Sequence, residues 1–177
     1  MITLQQYLQY QNDWHWDPNT QKSLNPHIKE IQEYNKALID KYPFLLPRNR
    51  WTGKVVEDYD YDYTELDEMP DGWRIRFGAE MVEEISQELK KYNFENEYRI
   101  MQIKEKWGGL RWYDNGYPRA SKIDLIIYKY EDLSYKTCII CGKPAIYQTT
   151  GWVSPYCADC VEKTHDHYIS LPVEDEE

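Results

Sequence analysis

The sequence has no run of 18 apolar residues, and its opening stretch, MITLQQYLQYQNDWHW, lacks the basic then apolar order of a secretory leader. The expectation is a cytoplasmic protein without a membrane partner. P-loop, nucleophile-elbow serine and HExxH metalloprotease patterns are also missing, so an enzyme reading has no motif to stand on. Positive charge is scarce: 21 Lys and Arg against 31 Asp and Glu give a net charge of −10, the wrong sign for direct binding of nucleic acid. Phenylalanine is nearly absent at 3 residues, yet 7 Trp and 17 Tyr in a 177-residue chain supply ample core-forming mass. That length suits one domain with a small appended module.

Helical spacing appears in four places. Leu4, Tyr7 and Leu8 follow Thr3 in a short helix, after which NDWHWDPNTQKS reads as irregular. Asn25-Pro26 reads as an N-cap and first-turn pair before Ile28, Ile31, Tyr34 and Leu38, and Pro43 stops that helix. Residues 73–92 place Phe77, Met81, Ile85 and Leu89 on one face, with Glu80, Glu83, Glu84 and Glu88 turned to solvent. Ile123, Ile126, Ile127, Tyr130 and Leu133 form the last helix, over 121–134, with Ser121 as its N-cap. Between the latter two, YRIMQIKEKW and LRWYD read as the strands of a hairpin reversing at Gly108-Gly109. Residues 43–70 lack periodicity and read as a long ordered loop.

The strongest signal is the cysteine quartet Cys138, Cys141, Cys157 and Cys160, spaced C-x2-C-x15-C-x2-C. Tetrahedral Zn2+ takes four sulfur ligands at about 2.3 Å, and two tight CxxC turns supply them in pairs. Ala145–Gln148 and Trp152–Tyr156 can pair as a hairpin between those turns, with Trp152, Tyr147 and Tyr156 as a miniature core. Four thiolates leave no open position for water, so the expected ion is structural. A thioredoxin-like redox pair would need a βαβ context that the pattern lacks. His165 and His167 stand one residue apart, not at finger-type spacing, and read as surface residues. Lysines and acids balance over 135–168, so the module offers no basic patch to nucleic acid.

Acidity is local. Residues 57–71, EDYDYDYTELDEMPD, hold eight acids and no base, and Glu174–Glu177 adds four more. If 58–63 is extended, Asp58, Asp60 and Asp62 form a ladder about 6–7 Å apart, backed by Tyr59, Tyr61 and Tyr63. Such a ladder suits a basic protein partner, or imitates a phosphate backbone and so inhibits a nucleic-acid-binding enzyme of the host. Trp14 and Trp16, in the irregular segment, are further candidate partner-binding anchors. Around the glycine turn, Glu105, Arg111 and Asp114 are the groups an enzyme of unknown class would use.

Lys104–Asn115 (KEKWGGLRWYDN), Cys138–Pro144 (CIICGKP) and Gly151–Cys160 (GWVSPYCADC) together resemble a family of small phage, prophage and gut-bacterial proteins that combine a KEKxGGLRWY-like hairpin with a CxxCGKP…GWxSPYCxxC module. The resemblance extends over PFLLPRNRWTG and YTELDEMPDGW, about residues 43–160. It implies a viral or mobile-element setting and a host or phage protein as partner, and it carries no catalytic assignment. The expected fold is α+β: a helical amino-terminal part (1–42), a body with a central antiparallel hairpin and amphipathic helices (43–134), a zinc ribbon (135–168) docked on that body, and an acidic tail (169–177). The expected function is a non-enzymatic, zinc-stabilised interaction protein.

Overall fold

The computed structural model describes residues 1–164 and 167–172 and has a mixed α+β architecture. The acidic tail at 174–177 and His165 lie outside the described residues. Among those described, no helix is long and apolar enough to cross a membrane.

Thr3 opens α1 (Leu4–Gln11) with a reciprocal cap, its hydroxyl accepting from Gln6 N at 3.2 Å while Gln6 Oε1 accepts from Thr3 N at 3.0 Å. The segment expected to be irregular is a small hairpin, β1 (His15–Asp17) with β2 (Lys22–Leu24). Strands of three residues show too little alternation to be read from sequence. In α2 (Ile28–Lys41), Asn25 is not the cap. Its Oδ1 accepts from His27 N at 2.8 Å and its Nδ2 donates to Tyr10 O at 2.7 Å, so it ties α2 to α1. Tyr7, Leu8 and Ile31 form the small core of this amino-terminal part.

The segment 43–70 contains two single-turn 3-10 helices, Pro43–Leu45 and Glu65–Glu68, within irregular chain. A continuous helical stretch follows: α3 (Asp71–Trp73), a π turn (Arg74–Gly78) and α4 (Ala79–Lys90). Phe77, Met81, Ile85 and Leu89 are at most 1% exposed and line the main core. Glu88 departs from expectation. It is buried, because its carboxylate accepts from Lys122 N at 2.9 Å and from Lys91 Nζ at 2.5 Å. It thus caps α5 (Ile123–Tyr135) from a neighbouring helix, in place of Ser121, whose hydroxyl is buried without a partner.

The central hairpin pairs β3 (Ile100–Lys106) with β4 (Gly109–Asp114), Ile103 opposite Trp112 and Lys106 opposite Gly109. The reversal falls on Trp107-Gly108, one residue earlier than expected, with φ of +57° and +80°. Left-handed dihedrals at both positions make the turn match the right-handed twist of the strands. Gly109 instead begins β4, where a Cβ would overlap the ring of Tyr135 on α5. Ser134 Oγ accepts from Leu110 N at 2.8 Å across the same contact. Against the other side of α5, Phe77 and Tyr130 rings lie 5.3 Å apart.

The carboxy-terminal module is a three-stranded sheet in the order β6-β5-β7, from β5 (Tyr147–Thr149), β6 (Pro155–Tyr156) and β7 (Tyr168–Ser170), with α6 (Ala158–Thr164) after the second cysteine pair. The β5–β6 hairpin matches expectation, whereas α6 and β7 were not foreseen. The module packs directly on the body. Trp73 Nε1 donates to Thr137 O at 3.0 Å, Gly72 N donates to Ile139 O at 2.9 Å, and a Cβ on Gly72 would overlap the backbone of Cys138 and Ile139.

Candidate functional site

Each cysteine pair is shaped by its own turn. In the first, Cys138 N donates to Lys143 O at 2.8 Å and Gly142 N donates to Cys138 O at 3.0 Å; in the second, Cys157 O accepts from Cys160 N and Val161 N as α6 begins. The two turns are laced together through Ile139 N, which donates to Pro155 O at 3.0 Å. The result brings Sγ of Cys138, Cys141, Cys157 and Cys160 within 4.8 Å of one another, with Cys141 and Cys157 at 3.6 Å.

That spacing fits a metal ion. Tetrahedral ligands about 2.3 Å from zinc sit about 3.8 Å apart, close to the separation seen. The thiols differ in their surroundings. Burial and hydrogen bonding to the neighbouring sulfurs hold the Cys160 thiol far above its ordinary range, and burial raises Cys141 as well. Burial works the same way on Cys138, but backbone N–H groups at Cys157, Cys141 and Ile140 outweigh it and bring that thiol down. Four thiolates in such proximity repel one another, and a divalent ion reduces their formal charge to −2. The four cysteines are thus clustered within metal-binding distance, compatible with a structural Zn2+. Exposed His167 is not part of this cluster, and Lys143 pairs across it with Asp159 at 2.8 Å.

The aspartate ladder does not form. Asp58 and Tyr61 have φ of +55° and +67°, left-handed values that break the alternation an extended strand requires. Asp58 and Asp60 are exposed and Asp62 half-buried, its carboxyl raised by burial and by Asp60. Tyrosines crowd instead into a local cluster, with Tyr59 5.2 Å from Tyr61 and 5.5 Å from Tyr63 between centroids. The later acids of the run are absorbed by the fold. Asp67 caps Thr64, accepts from Tyr7 OH and pairs with Arg74. Glu68 accepts from Ile103 N at 2.8 Å and Arg50 Nη2 at 2.6 Å, stitching the segment to the edge of β3.

Glu105, Arg111 and Asp114 do not converge. In the hairpin register Glu105 faces Leu110 and Asp114 faces Ile100, so the two carboxylates are on the order of 13 Å apart along the strands. Each has a structural task. Asp114 accepts from Tyr98 OH and Gly116 N, and Arg111 donates to Leu110 O and Tyr135 OH. Glu105 accepts from Gly108 N at 2.6 Å and from Trp152 Nε1 at 3.0 Å.

That last pair of bonds ties the hairpin turn next to Trp107 to the indole of Trp152. Trp107 on the hairpin turn is 67% exposed and Trp152 on the ribbon loop 77% exposed, and with Lys106, Gly151 and Val153 they line a groove of about 340 Å3. Trp152 is therefore surface, not ribbon core; Tyr156 is the residue that packs inside. Trp51, 95% exposed, flanks a second groove with Arg50, Met101, Lys104 and Tyr113. Trp16 stands exposed on β1 and Trp14 just before it. Sequence reasoning pointed to Trp14 and Trp16 but not to Trp51, for which a basic loop was the only cue. A tryptophan at a left-handed turn position was the cue for Trp107, and it needed the register to be seen. No protein-family model, curated protein or solved structure matches the chain.

Proposed function

We propose that the chain is a non-enzymatic interaction protein of phage or mobile-element origin, in which a structural Zn2+ folds the ribbon and the ribbon completes a docking surface for another protein. One observation carries this reading: Glu105 accepts from Gly108 N on the turn that carries Trp107 and from Trp152 Nε1 on the ribbon loop, so two exposed tryptophans from separate parts of the fold line a single groove. Large exposed aromatics at a fixed spacing are the residues that dominate protein–protein binding. Trp107 moreover occupies a backbone conformation that disfavours a bulky side chain, and strain of this kind gathers at functional positions. Lys106 on the rim favours a partner segment that sets an acidic residue beside an apolar one.

All four bonds of the ion go to sulfur in this reading, which leaves none for a reacting water. Free thiols suit a reducing, cytoplasmic setting. The test compares wild type with a Trp107→Ala/Trp152→Ala double variant by quantitative affinity capture from the producing cells, with zinc content and circular dichroism as controls. Partners enriched by wild type and lost from the intact double variant support the reading. Equal capture by both rejects it.

A further inference from the structure

The net charge of −10 hides a local excess of bases. Residues 48–54 (RNRWTGK) hold three bases and no acid, and 99–106 (RIMQIKEK) hold three bases and one acid. The fold brings the two segments together, since Arg50 and Trp51 line one groove of about 420 Å3 with Met101, Gln102, Lys104 and Tyr113. Arg48 and Arg99 meet at the same loop. Arg48 Nη1 donates to Gly53 O at 3.1 Å, and a Cβ on Gly53 would overlap the Arg99 guanidinium. Arg50 is neutralised by Glu68 at 2.6 Å, whereas Arg48, Arg99 and Lys104 form no ion pair among the described residues. Lys104 Nζ instead donates to Gln102 Oε1 at 2.5 Å and lies 5.1 Å from the centre of the Tyr113 ring. A guanidinium has five N–H donors and an ammonium three, so each of these cations keeps donors for an anion.

The same loop presents a tryptophan. Asn49 Oδ1 accepts from Trp51 N at 3.0 Å and from Thr52 N at 2.9 Å, and Gly53 N donates to Asn49 O at 2.8 Å, which closes a turn with the indole at its tip. The indole is 95% exposed and Tyr113 44% exposed, so both rings are open to a flat ligand. Stacking of a nucleobase on an aromatic side chain is worth about 1–3 kcal/mol, and only a strand with unpaired bases offers it. An acidic peptide would use the cations and leave the rings idle. Overall negative charge works against long-range attraction, so a strand is held here at short range and by few phosphates.

We propose that this groove binds single-stranded nucleic acid, with a base on Trp51 and the adjoining phosphates on Lys104, Arg99 and Arg48. The site is separate from the groove of Trp107 and Trp152. Fluorescein-labelled thymidylate and uridylate dodecamers are the probes, titrated into the zinc-loaded full-length chain and read by anisotropy. At least one should bind saturably, with duplex DNA of the same length weaker by about tenfold or more. The tighter of the two distinguishes a DNA site from an RNA site. Affinity should fall about tenfold between 50 and 200 mM salt, the loss for two or three phosphate contacts on a single strand. Trp51→Ala, at so exposed a position, should keep its fold and zinc content and lose about tenfold in affinity. Lys104→Gln should flatten the salt dependence. No saturable binding of either dodecamer at low salt overturns the proposal. So does duplex bound as tightly as single strand, full affinity in folded Trp51→Ala, or an unchanged salt slope in Lys104→Gln. Polyaspartate that competes as well as unlabelled dodecamer would assign the groove to an acidic peptide and overturn it too.

Discussion

The body closes around Trp73, Phe77, Met81, Ile85 and Leu110, none more than 1% exposed, whereas the buried hydrophobic cluster of the ribbon, among the described residues, is Tyr156 and Val161 beside Cys138 and Cys157. The first can hold itself together by removing apolar surface from water, at about 25 cal/mol per Å2. The second cannot, because its strands are two or three residues long and Trp152 and Ile169 stay outside. The four-cysteine cluster is compatible with a structural Zn2+ that would stand in for the missing core, and contacts from Trp73 and Gly72 join the module to the body. In the proposed reading, a cluster of side chains and a coordinated ion would solve the same problem at two scales of chain length.

Removing the metal should have the largest effect and should separate the two regions. Zinc binding is worth on the order of 10–16 kcal/mol to small zinc modules. Chelation, or Cys157→Ser, is expected to collapse the dispersed amide NMR signals of 137–164 while those of 79–134 persist. Signals retained throughout the ribbon in metal-free protein would show that it has a sufficient core of its own.

Next in size is a test at the contact between hairpin and helix. Gly109→Ala drives a methyl group into the Tyr135 ring from a backbone that β3 holds in place, and should cost about 3 kcal/mol, read as a fall in Tm. The zinc stoichiometry should not change. Loss of zinc in this variant would mean that body and ribbon fold as one unit.

A smaller effect comes from Glu65 in the body, whose carboxyl is pushed up to about 7 by burial and by Glu68. The folded chain then holds this proton more tightly than the unfolded chain, where the value is near the ordinary 4.5. Stability therefore falls as pH rises from about 4.5 through about 7, by about 2–3 kcal/mol if Glu65 acts alone. Glu65→Gln should flatten that part of the denaturation-versus-pH curve and raise stability at pH 8. An unchanged slope would assign the pH dependence to other groups.

Smallest is Trp107→Gly on the turn that faces the ribbon. It relieves a left-handed bulky residue and should stabilise the chain by about 0.5–1 kcal/mol in urea titration, while weakening partner capture. A destabilised variant would mean that the exposed indole contributes more packing than its strain costs.

How much of this was legible beforehand follows from the range of each interaction. The faces of α4 and α5 were readable because Phe77, Met81, Ile85 and Leu89, and likewise Ile123, Ile127 and Tyr130, repeat at short, regular intervals. Glu88 carried the same spacing as its solvent-facing neighbours and was misread, since the orphan N–H it serves lies 34 residues ahead. Alternating Asp and Tyr suggested a strand over 58–63, but the demand of Asp67 and Glu68 for partners in α1, the π turn and β3 folds that segment into turns. The same long-range packing sets the cations of two separate segments around Trp51, which local spacing cannot reveal.

Composition and spacing alone therefore determined the α+β class, the amphipathic helices, the central hairpin and the four-cysteine cluster, because each depends on neighbours within a few turns of chain or on a motif with a fixed gap. Tertiary structure decided which acids became ties instead of a charged ladder, which tryptophans remained outside, and which cations gathered without a carboxylate beside Trp51. Those outcomes depend on groups tens of residues apart competing for the same hydrogen bonds and the same apolar volume, and only the packed chain resolves that competition.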